Sequence, residues 1–507
     1  MVTLIIDCYT DEPAGLGVPP YLGTYPRYLA GHLREQGEDS IYLTIDDLRL
    51  WRYYGGKIKD PKPHESTNIR VYNLTHQDVP ALLAIADRIV VNLGVHTPGK
   101  YLSAIPGTLH EINEILKDVD AEKILTGPAF FGTALEGGKI AEREDLSQFK
   151  EVKLMKFSFD EIKRLSIAGA SVLGQIPDMR IIEIETARGC SRAIGCAFCT
   201  EPIKSKFEYR EAKDVISEVK AFYDLGARYF RLGKQACFYS YPHCQEVLKG
   251  IRDACPDIEV LHIDNVDPVM VNTSRGERIT QDIVKYCTEG NIAAFGVESF
   301  DQAVIDANHL NTTPERTYNA IKIINKYGAD RGPNGLPKFL PGINILFGLK
   351  DESRRTHELN MQWLQKILDD NLMLRRINIR QVNVFPGTKL AEMGGIKFLK
   401  RNKSYYFRWR RDIREKIDMP NFKRVVPIGH ILKDIYTETY DGKLTFGRHI
   451  GSYPIIVGIP GRLLLKKLVD VKVTAHMLRS ITAEAISQPR DIKLHEYTPL
   501  EVSLASS

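Results

Sequence analysis

Between residues 176 and 395 a short apolar run followed by a helical pattern recurs six times, and this alternation limits the chain to few folds. Ile181–Glu185, Tyr229–Leu232, Val260–Asp264, Ala293–Val297, Gly342–Phe347 and Asn378–Val384 read as strands. Strands alternating with helices demand a parallel sheet with helices packed against it. Six such units predict a partial (β/α)6 barrel, and the length of the segment does not call for a complete eightfold one.

The first of these strands leads into Thr186-Ala-Arg-Gly-Cys190-Ser-Arg-Ala-Ile-Gly-Cys196-Ala-Phe-Cys199-Thr-Glu-Pro202, a C-x5-C-x2-C spacing. The chain has 8 cysteines in 507 residues. That is no disulfide framework for a large chain with no secretory leader, and an isolated cysteine is ordinarily a small buried hydrophobe. Cys8, Cys237, Cys244, Cys255 and Cys287 take that reading. Cys190, Cys196 and Cys199 are different, because three thiolates on one loop can each hold one iron of a [4Fe–4S] cube. A zinc site would want a fourth Cys or His at suitable spacing; three unligated core cysteines are the plain structural alternative.

This loop, placed directly after a first barrel strand, resembles the radical S-adenosylmethionine (SAM) superfamily. The usual spacing there is C-x3-C-x2-C, so the first gap here is two residues longer, while the aromatic Phe198 before the last cysteine is retained. The resemblance implies that Cys190, Cys196 and Cys199 bind the cluster and that SAM chelates the iron they leave open. It also implies an electron donor such as ferredoxin or flavodoxin. Later strand ends follow the family's order. Gly233 and Gln235 stand where a Gly-Gly-Glu-like turn meets the SAM amino group, without the acidic residue. Asp264 follows the third strand, where a polar side chain either binds ribose hydroxyls or caps the next turn. Phe295-Gly-Val-Glu298-Ser299 resembles the Gly-x-Glu-Ser motif of methylthiotransferases and cobalamin-linked members, which implies SAM contacts for Glu298 and Ser299. A buried carboxylate is costly without a partner, which suits a ligand role. Phe385-Pro-Gly-Thr-x-Leu390 is close to the family's terminal motif.

Two flanking regions remain. Residues 1–150 alternate strands (Val2–Ile6, Ser40–Ile45, Arg88–Leu93, Glu122–Thr126) with helical stretches such as Tyr21–Gln36, which predicts a Rossmann-like or flavodoxin-like domain. It occupies the place of the cobalamin-binding domain in many radical SAM proteins. The Asp-x-His-x-x-Gly signature is missing, and His96 is the nearest candidate ligand, so cobalamin is an open expectation. From 426 to 490 short β-like runs (Lys443–Phe446, Ile455–Gly458, Val469–Thr474, Ser480–Ala483) predict a small β-barrel that resembles the RNA-binding TRAM domain. The linker over 396–425 is basic and aromatic. It suits phosphates and stacked bases, or equally a helix that turns Tyr406, Trp409 and Ile413 to the barrel. The opening Asp7-Cys-Tyr-Thr-Asp-Glu-Pro-Ala-Gly and the following Pro-Pro-Tyr-Leu-Gly resemble uncharacterised archaeal radical SAM proteins.

A net charge of +5 is too small to prove a nucleic-acid partner. No apolar run is long enough to cross a membrane, and the N-terminus reads as a core strand, so a cytoplasmic protein is expected. The leading expectation is a radical SAM enzyme that modifies RNA, with tRNA the expected class, by methyl or sulfur-group transfer or rearrangement. A cobalamin-dependent radical SAM methyltransferase acting on a protein or small molecule is the second reading. A non-enzymatic RNA-binding iron–sulfur protein is the third.

Overall fold

In the computed structural model, residues 1–9, 19–57, 73–94, 104–127, 145–153 and 155–498 are described, with the backbone of 11–12 and 15–16. His96 lies outside them.

The N-terminal sheet is built from β1 (Thr3–Asp7), with β2 (Tyr21–Leu22) diverted elsewhere, then β3 (Ser40–Thr44), β4 (Arg88–Asn92), β5 (Glu122–Thr126) and β6 (Glu151–Val152). Its order is β3-β1-β4-β5-β6, parallel throughout, a doubly wound flavodoxin-like arrangement. Leu4, Ile6, Leu43, Val91 and Leu125 are completely or almost completely buried on its faces, as a sheet covered by helices requires.

The second region contains β7 (Ile181–Glu185), β8 (Tyr229–Gly233), β9 (Val260–Ile263), β10 (Asn265–Val266), β11 (Asn291–Glu298), β12 (Phe339–Phe347) and β13 (Arg376–Gln381). They form two parallel sheets, β9-β8-β7-β2 and β10-β11-β12-β13, which meet at Asp264 between β9 and β10. The six expected strands are all present. The sequence pattern ran Tyr21–Gln36 together as one helix; instead Tyr21 and Leu22 pair with Ile181 and Ile182, and α1 (Thr24–Glu35) starts after Gly23. An N-terminal segment thus forms the outer edge of the barrel sheet.

Helix α1 also joins the two regions. A Cβ on Gly31 would stand 2.1 Å from the Leu165 carbonyl oxygen, and one on Gly169 would stand 1.8 Å from the Arg27 carbonyl oxygen. Only glycine lets these backbones cross so closely. Ile5, Leu29, Tyr42 and Val90 accordingly share one apolar core with Ile182, Phe222, Phe230 and Phe295.

After β13 the chain turns helical through Gly395–Arg401, Tyr406–Ile413 and Met419–Val425. Tyr406, Trp409 and Ile413 are buried against the barrel, with the Phe347 ring 5.5 Å from Trp409. The final region holds β14 (Ile431–Asp441), β15 (Leu444–His449), β16 (Ile456–Pro460), β17 (Lys467–His476) and β18 (Ser480–Ala485). Pairing runs β14-β15-β16-β18-β17 and back to β14, which closes a five-stranded barrel. It seats on the amino ends of β7, β8 and β9: Ile181, Tyr229 and Val260 pack with Tyr436 and Leu468. No helix among the described residues is long and apolar enough to cross a membrane.

Candidate functional site

The cysteine loop is closed at its base. Ala187 and Arg188 pair antiparallel with Tyr209 and Glu208, so the intervening residues leave and return at one point. Gly189 has φ of +73°, and a Cβ there would stand 2.3 Å from the Lys206 carbonyl oxygen, so the chain can enter the loop only through glycine.

The loop then reaches across the carboxyl end of the barrel. The Ala197 N–H donates to the Asn308 carbonyl (2.9 Å), and the Ala197 carbonyl accepts from the Leu390 N–H (2.8 Å). One residue is thereby bracketed by the turn after β11 and the turn after β13. Asn308 is itself fixed, because its amide donates to the Lys350 carbonyl (3.0 Å) and accepts from the Lys350 N–H (3.1 Å). Ala197 is buried with Val304, Leu349, Val382 and Leu390, and Cys196 and Phe198 lean on the same cluster.

All three loop cysteines are free and partly buried. Arg192 donates to Cys196 Sγ (3.0 Å) and to the His309 carbonyl (2.7 Å), and the Glu201 N–H donates to Cys199 Sγ (3.4 Å). Burial pushes the Cys196 thiol up to about 11, with Arg192 pulling it back, and the Cys199 thiol up to about 12. Among the described residues no three His, Cys, Asp or Glu groups converge as they would on a single metal ion. A cube asks for a different set, since each thiolate binds its own iron and the three stand wider apart. Three thiols on one pinned loop, with N–H donors already aimed at two sulfurs, fit that requirement.

Below the loop the barrel interior is polar. Glu183 and Arg231 face inward from β7 and β8, and Arg231 donates to both Glu183 oxygens (3.1 and 2.9 Å) and to Asp264 Oδ1. Burial pushes both carboxyls up, and Arg231 between them pulls them down. Asp264, expected at the ribose, is thus 1% exposed and engaged in an ion-paired triad, with no partner for Oδ2 among the described residues. Gly233 is where a Cβ would collide with Glu183 Oε1 at 1.9 Å. Gln235 is buried; its amide donates to the Leu232 carbonyl (3.1 Å) while Oε1 has no partner. Ser299 is buried in a turn where its hydroxyl accepts from the Asp301 N–H (3.1 Å). Glu298 has φ of +63°, rare for a residue with a side chain. Burial pushes its carboxyl up to about 8, and the Arg380 guanidinium opposite pulls it down. Of the five residues expected to meet SAM, Glu298 alone combines a strained backbone with a carboxylate close enough to Cys196 to raise that thiol.

Sequence reasoning missed Arg376, Asn378 and Arg380. Alternation along β13 puts all three on one face while Ile377 and Ile379 are buried on the other. Arg376 donates to Asn378 Oδ1 (2.8 Å), and Asn378 donates to Asn344 on β12 (3.1 Å). Arg-x-Asn-x-Arg at alternate positions was the available signal.

Fold and loop together define a class: an open parallel barrel of two adjoining sheets with three cysteines on the loop after β7. No family model matches the chain. An uncharacterized protein of Methanocaldococcus jannaschii is 40% identical over 540 aligned positions, covering 97% of this chain and 94% of the relative. An uncharacterized protein of Archaeoglobus fulgidus is 36% identical over 511 positions, covering 95% and 90%. The chain belongs to the family of these two archaeal proteins. Among solved structures, the radical SAM methyltransferase TsrM of Kitasatospora setae, with cobalamin and a [4Fe–4S] cluster bound, superposes with a TM-score of 0.47 at 14% identity, covering 77% of this chain and 76% of that one. The cobalamin-dependent SAM radical enzyme OxsB, with aqua-cobalamin and SAM bound, gives 0.47 at 12%, covering 84% and 58%.

Proposed function

We propose that this chain is a radical SAM enzyme that holds a [4Fe–4S] cluster on Cys190, Cys196 and Cys199 and modifies RNA. The observation that carries the reading is the cysteine loop bracketed across the carboxyl end of the barrel through Ala197. When bound, the cluster and SAM supply the 5′-deoxyadenosyl radical, with the electron drawn from a ferredoxin or flavodoxin. The chain's own residues orient and shield. Arg192 fixes Cys196 against the His309 turn, Phe198 and its apolar neighbours keep water from one side of the loop, and Glu298 presents a carboxyl toward it. The RNA part of the reading rests on the basic, aromatic linker beside a small closed β-barrel. Anaerobic reconstitution with SAM, reductant and total RNA, followed by nucleoside mass spectrometry, tests it. Production of 5′-deoxyadenosine and a new modified nucleoside are expected; no 5′-deoxyadenosine would refute it.

A cobalamin-dependent methyltransferase is the second reading. The doubly wound N-terminal sheet favours it, since ligands of such sheets sit at the carboxyl edge where strand order reverses. Cobalamin retained on purification, with methyl transfer to a protein or small molecule and no change in RNA, would replace the first reading by this one.

A further inference from the structure

Among the described residues no strand pairs with the outer edge of β13, where the barrel sheet stops. Two side chains satisfy it instead: the Ile377 N–H donates to Asp418 Oδ1 (3.1 Å), and Arg414 donates to the Ile377 carbonyl (2.6 Å) and to Asp418. Around this edge the arginines gather. Arg376 and Arg380 come from β13, Arg410 and Arg414 from the following helix, and Arg479 from the turn between β17 and β18.

These charges act on one another. Arg376 is pulled below its ordinary value by burial and by Arg380 and Arg414, and Arg479 is pulled to about 10 by burial and by Arg414, Arg376 and Arg410. Asp418 is the carboxylate that acts on both Arg376 and Arg479, and it is already spent on Arg414 and the strand edge. Arg376 sits over the Tyr453 ring (4.9 Å), and its buried Nε has no partner among the described residues. Arg380, Arg410 and Arg479 still reach solvent, crowded as Arg479 is by its neighbours, and no ion pair engages them among the described residues. Converging guanidinium groups short of counter-charge are unfavourable by themselves, and a multivalent oxyanion relieves them through paired N–H donors.

We propose that Arg376, Arg380, Arg410 and Arg479 form a phosphate-binding site at the open edge of the barrel, occupied by the backbone phosphates of the substrate. The assignment of those phosphates to RNA rests on the reading above; the site itself rests on Arg376 stacked on Tyr453 at the capped edge of β13 and on the mutual repulsion that brings Arg410 and Arg479 into the same group. From β13 the interior face leads by way of Arg380 to Glu298, so phosphates held here lie beside the route to the cysteine loop.

The test uses the full-length protein and two probes, a labelled single-stranded RNA 20-mer followed by anisotropy and inorganic pyrophosphate followed by calorimetry. Arg410→Ala/Arg479→Ala removes two exposed side chains, and Lys249→Ala removes one charge from a barrel helix as control. The double variant is expected to weaken RNA binding about tenfold or more and to reduce the log–log salt slope by about 1.4, while the control changes neither. RNA binding equal in the double variant and the parent would overturn the site and leave the RNA reading standing. Pyrophosphate binding lost in the double variant, with no RNA binding by the parent, would uphold the site and overturn its assignment to RNA. Failure of the parent to bind either probe would overturn the site.

Discussion

Gly233 leaves the space that the Glu183 carboxylate fills. A Cβ at 233 would lie 1.9 Å from Glu183 Oε1, and that carboxylate cannot swing aside while both its oxygens accept from buried Arg231. The packing against this ion pair by itself requires a glycine at 233. Gly233→Ala should displace Glu183 from Arg231 and cost about 2–4 kcal/mol, in the range for disturbing a buried pair. Urea unfolding measures the loss. A change below about 0.5 kcal/mol, that of an indifferent surface substitution, would show that the pair tolerates the methyl group.

Asn308 bridges the cysteine loop and the end of β12, with its carbonyl on Ala197 and its amide on Lys350. Asn308→Ala keeps the backbone bond and removes the two side-chain bonds to Lys350 together with a third to the Val304 carbonyl (2.8 Å), at a cost of about 1–3 kcal/mol. The turn that holds Ala197 then loosens. Reconstituted Asn308→Ala should carry less iron and release it to a chelator several-fold faster, whereas Ser191→Ala, at an exposed loop position, should match the parent. Equal release rates in Asn308→Ala and the parent would rule out the clamp.

The strands of the barrel were legible in the sequence because each is a buried apolar run between turns, and the closed C-terminal barrel was legible for the same reason. The strand Ile431–Asp441 was not. Its register shifts between Leu432 and Ile435 in the pairing with β17, so its apolar residues do not alternate, and Asp434 takes φ of +59° there. Tyr21–Leu22 was hidden differently: two residues carry no period, and their extended form is set by Ile181 and Ile182 far along the chain. Of the candidate site, what is local was legible as a place in the fold: the cysteine loop directly after Ile181–Glu185. Asp264 shows the limit. Nothing in its neighbourhood of sequence says that Arg231, inward on the adjacent strand, will claim it.

Glu352 is a buried carboxyl with no cation on it among the described residues. It accepts from the Gly348 N–H (2.7 Å) and from Asn402 Nδ2 (3.2 Å), and burial raises it from 4.5 to about 7. Its folded value lies above its unfolded value, so the folded state holds the proton more tightly. The stabilisation is full below about pH 4.5 and is lost as pH rises through 7. Glu352→Gln mimics the protonated form. Relative to the parent, the variant should gain about 2–3 kcal/mol in stability on going from pH 5 to pH 8. Parallel stability curves for the two proteins over that range would contradict the assignment.

His262 ties the C-terminal barrel to the amino end of the parallel barrel. Its Nδ1 accepts from the Ser452 N–H (3.0 Å), so Nε2 carries the proton and donates to the Glu289 carbonyl (3.1 Å). Tyr21 and Arg375 hold the same loop, the first by donating to the Ser452 carbonyl (2.9 Å) and the second by donating to the Tyr453 carbonyl (2.7 Å). A second proton on the imidazole would destroy the bond to Ser452 and place a charge beside Arg231; burial and that arginine lower His262 from 6.5 to about 4. Here the folded value lies below the unfolded one, so the contribution is full above about pH 6.5 and is lost as pH falls toward 4. The parent should lose about 2 kcal/mol of stability between pH 7 and pH 5 that His262→Gln does not lose. His262→Gln should also be cut faster by a protease in the 450–453 loop at pH 7, because the glutamine cannot hold Ser452 from the same position. If the variant keeps the parent's pH dependence and its loop stays protected, His262 does not anchor the two barrels.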